Sequence, residues 1–166
     1  MKRYLLLLLC CAVAVLNSRA QQVIVVEKNN AQSLLDAISK ANELNGDKDA
    51  KQLYILIPDG FYDFGERVLT RITGHHIALI GQSMSGTVIQ NKPDVKNEGL
   101  SKTAVIQNRG SENYFQDLTL KNALDYYAAG AAGRAATLHD KGTHTVCNRV
   151  RLLSYQDTYY SDNDQC

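Results

Sequence analysis

Apolar residues recur at helical spacing in one stretch near the start of the chain. Within NNAQSLLDAISKANELNG the apolar positions that fit one helical face are Leu34, Leu35, Ile38, Ala41 and Leu44. Asn30 precedes them, where its side chain can cap a helix, and Gly46 follows as a stop signal. The pattern predicts one amphipathic helix over about residues 31 to 44.

After this helix the pattern changes to short apolar strands separated by turn residues. The predicted strands lie in QLYILI, HHIALIG, GTVIQN, TAVIQN, NYFQDLTLKN and HTVCNRVRLLS. A further short strand, VIVV, precedes the helix. No second helix of comparable quality is predicted. The fold class is therefore all-β with one N-terminal amphipathic helix.

Three strand segments, HHIALIG, NYFQDLTLKN and HTVCNRVRLLS, align as copies. Their alignment predicts one column of Ile77, Leu118 and Val150 and a second of Leu79, Leu120 and Leu152. The copies are 41 and 32 residues apart. Stacked coils with variable loops tolerate that irregular period, whereas a sandwich or barrel gives shorter, even spacing. We predict a parallel β-helix whose open N-terminal end is covered by the helix.

The first 20 residues are typical of an export signal. Lys2 and Arg3 precede the apolar stretch Leu5 to Leu16, and small residues follow in SRA. This predicts a signal peptide over 1–20, a mature domain over 21–166 and a secreted or periplasmic protein. No later segment approaches the roughly 20 apolar residues of a membrane span, so none is expected.

The charge of the chain bears on its partners, and its cysteines bear on disulfide formation. The chain has 18 basic and 17 acidic residues, so no strong field attracts nucleic acid, and no nucleic-acid partner is expected. Only Cys147 and Cys166 lie beyond the predicted signal. The exported compartment permits a disulfide between them, but two buried free thiols are the favoured interpretation.

Several motifs have structural rather than functional interpretations. GQSMSG, around Ser83, lacks the second glycine and the helix of a nucleophile elbow, which favours a polar turn. DND at 162 to 164 lacks the glycine and glutamate of a calcium loop, which favours an acidic loop. No metal spacing links the histidines, and solvated turns are predicted for all of them: His75, His76, His139 and His144.

Two polar stretches carry candidate chemistry. GAAGRAATL contains Arg134, which can bind a carboxylate. SYQDTYY places Gln156 beside Asp157 among tyrosines, so an amide donor and a carboxylate stand next to an aromatic platform suited to a sugar. The alternative for SYQDTYY is a strand end with a capping aspartate and tyrosines that pack along the solenoid wall.

The chain resembles the pectinesterases, exported enzymes with a right-handed parallel β-helix that remove methyl groups from galacturonan. The resemblance runs from VIVVEKNNAQSLLDAISKA through YILIPDGFYDFGERVLTRITGHHIALIGQSMSGTVIQN and YFQDLTLKNA to GRAATL and SYQDTYY. The last two are similar to the family's QAVAL and GYQDTLY blocks. The family's DFIFG and GRPW blocks have no counterpart, so the resemblance implies the N-terminal part of the family domain, truncated at its C-terminal side.

The resemblance implies a role for each matching residue. Asp157 would be the general acid and base, and Gln156 would donate hydrogen bonds to the oxyanion. Arg134, which replaces a family glutamine, Tyr155 and Tyr160 would bind substrate, and Tyr159 is a further candidate for the sugar groove. The expected substrate is methyl-esterified polygalacturonate (pectin) of the plant cell wall, with no cofactor and no metal.

The nucleophilic aspartate of the family lies in the missing DFIFG block. The resemblance therefore implies an aspartyl esterase, a carboxylic ester hydrolase, whose polypeptide is inactive on its own. Two alternatives stay open. One is a non-catalytic β-helix that binds polygalacturonate, and the other, with less support, is a pectate lyase that uses calcium.

Overall fold

The computed structural model describes residues 21–67, 69–93, 100–130 and 133–163, and the predicted signal peptide lies outside them. The helices are α1 (Ala31–Leu44), α2 (Leu100–Thr103) and α3 (Tyr126–Ala129). The strands are β1 (Gln22–Val25), β2 (Leu53–Ile57), β3 (Gly60–Asp63), β4 (Thr70–Ile72), β5 (Ile77–Gly81), β6 (Thr87–Asn91), β7 (Ile106–Asn108), β8 (Tyr114–Asn122), β9 (Leu138–Asp140), β10 (Val146–Leu153) and β11 (Tyr159–Ser161). None of these helices is long and apolar enough to cross a membrane.

The strands stack in three parallel sheets. Sheet 1 contains β1, β2, β5 and the first residues of β8 and β10. Sheet 2 contains β3, β6 and the last residues of β8 and β10. Sheet 3 contains β4, β7, β9 and β11. The chain visits the sheets in this order in each coil, which confirms the predicted parallel β-helix.

The core lies between the sheets because alternate strand residues point inward. In sheet 1 the strand register stacks one inward residue per coil: Ile24, Ile55, Leu79, Phe115 and Cys147. Ile55, Leu79 and Phe115 are fully buried. Each such side chain contributes about 1.5–3 kcal/mol by leaving water.

The predicted columns are correct for β8 and β10 and wrong for β5. Val150 pairs with Leu118 and Leu152 with Leu120, as predicted. Ile77 does not align with Leu118, because the next residue, Ala78, pairs with Tyr114. Leu79 likewise pairs with Phe115 rather than with Leu120. The cause is a bend in β8 at Asp117, whose φ of 53° is left-handed. The residues of β8 before the bend continue sheet 1, and those after it continue sheet 2, so Leu118 and Leu120 belong to a different sheet from Leu79.

Helix α1 has the predicted bounds and covers the first coil. The Asn30 side chain accepts a hydrogen bond from the Ser33 amide at 3.0 Å, so it is the N-cap. The C-cap is Asn45, whose amide donates to the Ala41 carbonyl at 2.9 Å. The buried face of the helix, Leu34, Ala37, Ile38 and Ala41, packs on the end of the core beside β2, β3 and β4.

Ser83 lies in the turn between β5 and β6, as predicted. Its hydroxyl donates to Asp59 Oδ1 at 2.8 Å and accepts from the Gly86 amide at 3.0 Å. These bonds hold a connection between two strands, and the sequence after it forms β6 rather than a helix. The hydroxyl therefore has a local structural role.

Candidate active site

Residues 154–158 connect β10 to β11 and are clamped to the preceding coil. The Ser154 hydroxyl donates to the carbonyl of Ala135. At the other end, the Thr158 carbonyl accepts from the amides of Thr137 and Leu138 at 3.1 and 3.3 Å. The connection therefore sits directly on residues 135–138 of the coil below.

Gln156 and Asp157 lie inside this clamped connection. Asp157 has a φ of 51°, a left-handed conformation that aspartate adopts more readily than most residues. Its side chain is exposed, and that of Gln156 is half-buried. Within the described chain, the Asp157 carboxylate accepts no hydrogen bond and forms no ion pair. The carboxylate is therefore available to a ligand.

Arg134 lies in the neighbouring coil at the same corner of the solenoid. Its carbonyl accepts from the Thr103 hydroxyl at 3.0 Å, and its neighbour Ala135 accepts from Ser154. The Arg134 side chain is exposed. The structure thus brings Arg134 and the connection 154–158 into adjacent coils, as the alignment of GRAATL and SYQDTYY implies.

Tyr155 belongs to an aromatic cluster that the sequence alone did not predict. Its ring stacks on Tyr126 with centroids 5.8 Å apart, and it meets Tyr127 edge to face at the same distance. Tyr127 is 83% exposed and Tyr155 is 63% exposed, so the cluster presents ring surface to solvent. The only signal for it was the pair of tyrosines in LDYYAAG, which starts α3 after the N-cap Asp125.

Tyr160 lies in β11 against a buried histidine. Its ring centroid is 4.8 Å from that of His139, and the two residues pair across β11 and β9. His139 Nε2 is 3.2 Å from Asp162 Oδ2, and Lys141 Nζ is 2.5 Å from the same oxygen. Loss of solvation opposes ionisation of Asp162, but the bonds from Lys141 and His139 outweigh it and lower its pKa.

Tyr159 has a packing role, although 47% of the residue is exposed. It aligns with Leu138, on the core side of sheet 3, and its hydroxyl donates to Asp140 Oδ2 at 3.1 Å. Burial, followed by the Asp140 charge, raises the pKa of Tyr159 to about 12. Of the three tyrosines considered from the sequence, Tyr159 therefore points away from the side occupied by Tyr160.

Two sequence predictions are corrected here. The prediction of a solvated turn is wrong for His139, which lies in β9 with a fully buried side chain, because Tyr160 and Gln107 cover it in the neighbouring coils.

The prediction of a buried thiol is wrong for Cys147, which is an exposed free cysteine in the last described coil. Its partial loss of solvation and the Asp140 charge raise the pKa of Cys147 to about 11. Cys166 lies outside the described residues.

The DND segment is an acidic loop as far as the structure describes it. Asp162 pairs with Lys141 and His139, and the Asn163 side chain donates to the Lys141 carbonyl at 2.8 Å. Asp164 lies outside the described residues. Across the described ranges, no three acidic, histidine or cysteine side chains come together as a metal site.

The stacked sheets and the exposed polar and aromatic corner define a parallel β-helix protein with a candidate carbohydrate site. The pectinesterase family model matches residues 22–165. The chain therefore belongs to the pectinesterase family. No curated protein sequence matches it.

Solved structures similar to this chain include pectin methylesterases. One from Erwinia chrysanthemi, PemA, is 24% identical with a TM-score of 0.67 over 88% of this chain and 46% of its own. Another, in complex with hexasaccharide VII, is 26% identical with a TM-score of 0.68 over 86% and 46%. The carrot enzyme is 22% identical with a TM-score of 0.63 over 87% and 43%. This chain thus spans less than half the length of these structures.

Proposed function

We propose that this chain supplies the proton-transfer and oxyanion-binding groups of a pectin methylesterase site. The substrate is the methyl ester of galacturonan in plant cell wall pectin, and the product is methanol. The observation that carries the proposal is the free, exposed carboxylate of Asp157 beside Gln156, in a connection clamped onto the coil of Arg134. We also propose that the protein is exported, since pectin lies outside cells.

Asp157 would act twice in the reaction. A second carboxylate attacks the ester carbonyl, and the bond to the methoxy oxygen breaks as protonated Asp157 gives that oxygen its proton, which forms methanol. The Asp157 carboxylate then takes a proton from water while the water oxygen attacks the acyl carbon and releases the second carboxylate. Gln156 would donate its amide hydrogens to the oxyanion in both steps, a contribution of roughly 3–4 kcal/mol per donor.

The second carboxylate is the nucleophile, and this sequence contains no match to the family block that carries it. A polypeptide of these 166 residues is therefore expected to bind methylated pectin without releasing methanol. A methanol assay on methyl-esterified pectin tests this. Turnover at an ordinary enzymatic rate that disappears in Asp157→Asn would contradict the expected inactivity and support the role of Asp157.

Sugar binding is expected to depend on the cluster of Tyr126, Tyr127 and Tyr155. Sugars stack their apolar faces on aromatic rings. Tyr127 and Tyr155 are exposed, and Tyr155 lies two residues before Asp157. Tyr155→Ala should weaken binding of a methyl-esterified galacturonan hexamer about tenfold in calorimetry. Tyr54→Ala, on sheet 1, is the matched control and should leave that affinity unchanged. Equal affinities for all three proteins would exclude the cluster from the site.

Polygalacturonate binding without chemistry is the second candidate function. The observation that favours it is the exposed Arg134 in the coil next to a single acidic group. In that case binding of unesterified galacturonan survives Asp157→Ala and is lost in Arg134→Ala. A catalytic arrangement instead predicts that Asp157→Ala changes the affinity for the methyl ester.

A further inference from the structure

A column of four side chains runs along the outer surface of sheet 3. Strand register places Arg71, Gln107, His139 and Tyr160 in this column, one residue per coil. The neighbours of Arg71 on its strand, Thr70 and Ile72, are buried, and Arg71 is exposed. The column therefore lies on the side of sheet 3 that faces away from the core. Its middle members, Gln107 and His139, are buried, and it ends at the half-buried Tyr160, three residues beyond Asp157.

The side-chain oxygen of Gln107 accepts hydrogen bonds from two arginines. Its Oε1 accepts from Arg109 Nε at 2.8 Å and from Arg71 Nε at 3.3 Å. Because both donors are cationic, this atom is the amide oxygen, and the amide nitrogen faces His139 Nδ1 at 2.9 Å. Nδ1 of His139 is then an acceptor, and the ring proton lies on Nε2 toward Asp162. The orientation of Gln107 is thus fixed from both sides.

The two guanidinium groups have no counter-ion within the described chain. The neighbouring cation, Lys141, is paired with Asp162, but neither Arg71 nor Arg109 forms an ion pair with any described residue. Two positive charges that share one neutral acceptor repel each other. An anion bound between them would relieve this repulsion.

We propose that Arg71 and Arg109 bind the carboxylate of an unesterified galacturonate unit, which makes this pair a determinant of specificity. Their Nε atoms are held by Gln107, so the terminal amino groups remain to donate to the two oxygens of a planar carboxylate. A methyl ester carries no charge and offers a weaker acceptor. The pair therefore distinguishes a free acid unit from an esterified one.

This carboxylate site lies on the sheet that contains Tyr160, next to the proposed esterase site, and the inference rests on that proposed function. Gln107 is two strands from Tyr160 in sheet 3, which corresponds to about 10 Å along the solenoid. A short oligosaccharide can span that distance, whereas one sugar ring cannot contact both places. The chain would thus prefer pectin in which a free acid lies a few units from the ester at Asp157.

Calorimetry with two galacturonan hexamers tests the inference. The wild-type protein should bind the unesterified hexamer more tightly than the fully methyl-esterified one. Arg71→Gln and Arg109→Gln should each weaken binding of the unesterified hexamer by about tenfold or more and leave that of the esterified hexamer within about twofold. Arg151→Gln is the matched control, because Arg151 is also exposed and donates through Nε to a neutral oxygen, Thr119 Oγ1, at 3.1 Å on sheet 2.

Gln107→Glu provides a second, independent variant. It keeps the size of the side chain and gives both arginines an internal carboxylate, so the preference for the unesterified hexamer should disappear while both arginines remain. Urea midpoints of all variants verify that they are folded.

The outcomes separate this inference from the proposed function. Equal binding of the two hexamers by the wild type, unchanged in both arginine variants, overturns the carboxylate site and leaves the esterase proposal intact. Absence of binding to either hexamer overturns both. An effect of Arg151→Gln equal to that of Arg71→Gln would show general charge attraction and would also overturn the site.

Discussion

Replacement of Asp140 should separate the contribution of its hydrogen bonds from that of its charge. Asp140 is fully buried in β9. Its Oδ1 accepts from Asn108 Nδ2 at 2.9 Å and from the Gly142 amide and Thr145 hydroxyl, both at 3.1 Å. Oδ2 accepts from the Tyr159 hydroxyl. We expect Asp140→Ala to lower the free energy of unfolding by about 3–6 kcal/mol.

The magnitude follows from which donors find another acceptor. Asn108 Nδ2 keeps its bond to Thr145 Oγ1 at 2.9 Å, and Tyr159 is exposed enough for its hydroxyl to turn to water. The bonds that the Gly142 amide and Thr145 hydroxyl donate to the carboxylate are lost. Hydrogen bonds to a charged group contribute about 1.5–3 kcal/mol each, which gives the stated range.

Asp140→Asn should behave differently. The amide oxygen can accept from the same three donors as Oδ1, and the amide nitrogen can donate to the Tyr159 oxygen. The substitution also removes a buried charge that has no cationic partner among the described residues, which offsets part of any lost bond strength. We therefore expect Asp140→Asn to stay within about 1 kcal/mol of the wild type.

Urea unfolding followed by far-UV circular dichroism at pH 7 measures both variants. Asp36→Ala is the control, since Asp36 accepts one exposed hydrogen bond, from Gln32, in α1. It should change the free energy by no more than about 0.5 kcal/mol. A loss below about 1 kcal/mol in Asp140→Ala, or equal losses in the alanine and asparagine variants, would refute this account of the buried carboxylate.

Three further predictions concern the described coils. Because the pKa of Cys147 is raised to about 11, the folded thiol keeps its proton longer than the unfolded one, so unfolding free energy should fall from pH 9 to 11. In Cys147→Ala, urea midpoints measured across this pH range should no longer show the part of the decline that the thiol causes. Gly81→Ala should destabilise by more than about 2 kcal/mol in the same assay, because its Cβ would lie 2.1 Å from the Asp117 carbonyl oxygen. A hydrogen bond from Arg149 lowers the pKa of Asp117, and Arg149→Met should return it toward its ordinary value in a carboxylate NMR titration.

Local signals in the sequence were sufficient for helix α1 and for the all-β class. The spacing of Leu34, Ile38 and Ala41 and the cap at Asn30 are properties of neighbouring residues, and the structure confirms the helix over Ala31–Leu44. The register of β5 was not predictable in the same way. It depends on the left-handed bend at Asp117, which nothing in the apolar alternation of β8 indicates.

The candidate site also combines residues that are adjacent in sequence with residues that only the fold brings together. Gln156, Asp157 and Tyr155 are adjacent in sequence, so a short motif was enough to select them, although their catalytic roles stay predictions. Tyr126 reaches Tyr155 only because α3 and the connection 154–158 lie in neighbouring coils. Similarly, Arg71 and Arg109 meet at Gln107 through the stacking of β4 on β7. Local motifs do not predict such contacts between residues that are far apart in the sequence.

The lengths of the connections from sheet 2 to sheet 3 explain why the candidate chemistry lies where it does. These connections are 64–69, 92–105, 123–137 and 154–158, and the last is the shortest. A short connection cannot fold over itself, so Ser154 and Thr158 can clamp both of its ends while Asp157 stays exposed. The longer connection 123–137 carries Arg134 and the exposed tyrosines of α3 beside it. The short connection therefore leaves the Asp157 carboxylate open to a ligand, and the longer one supplies the side chains around it.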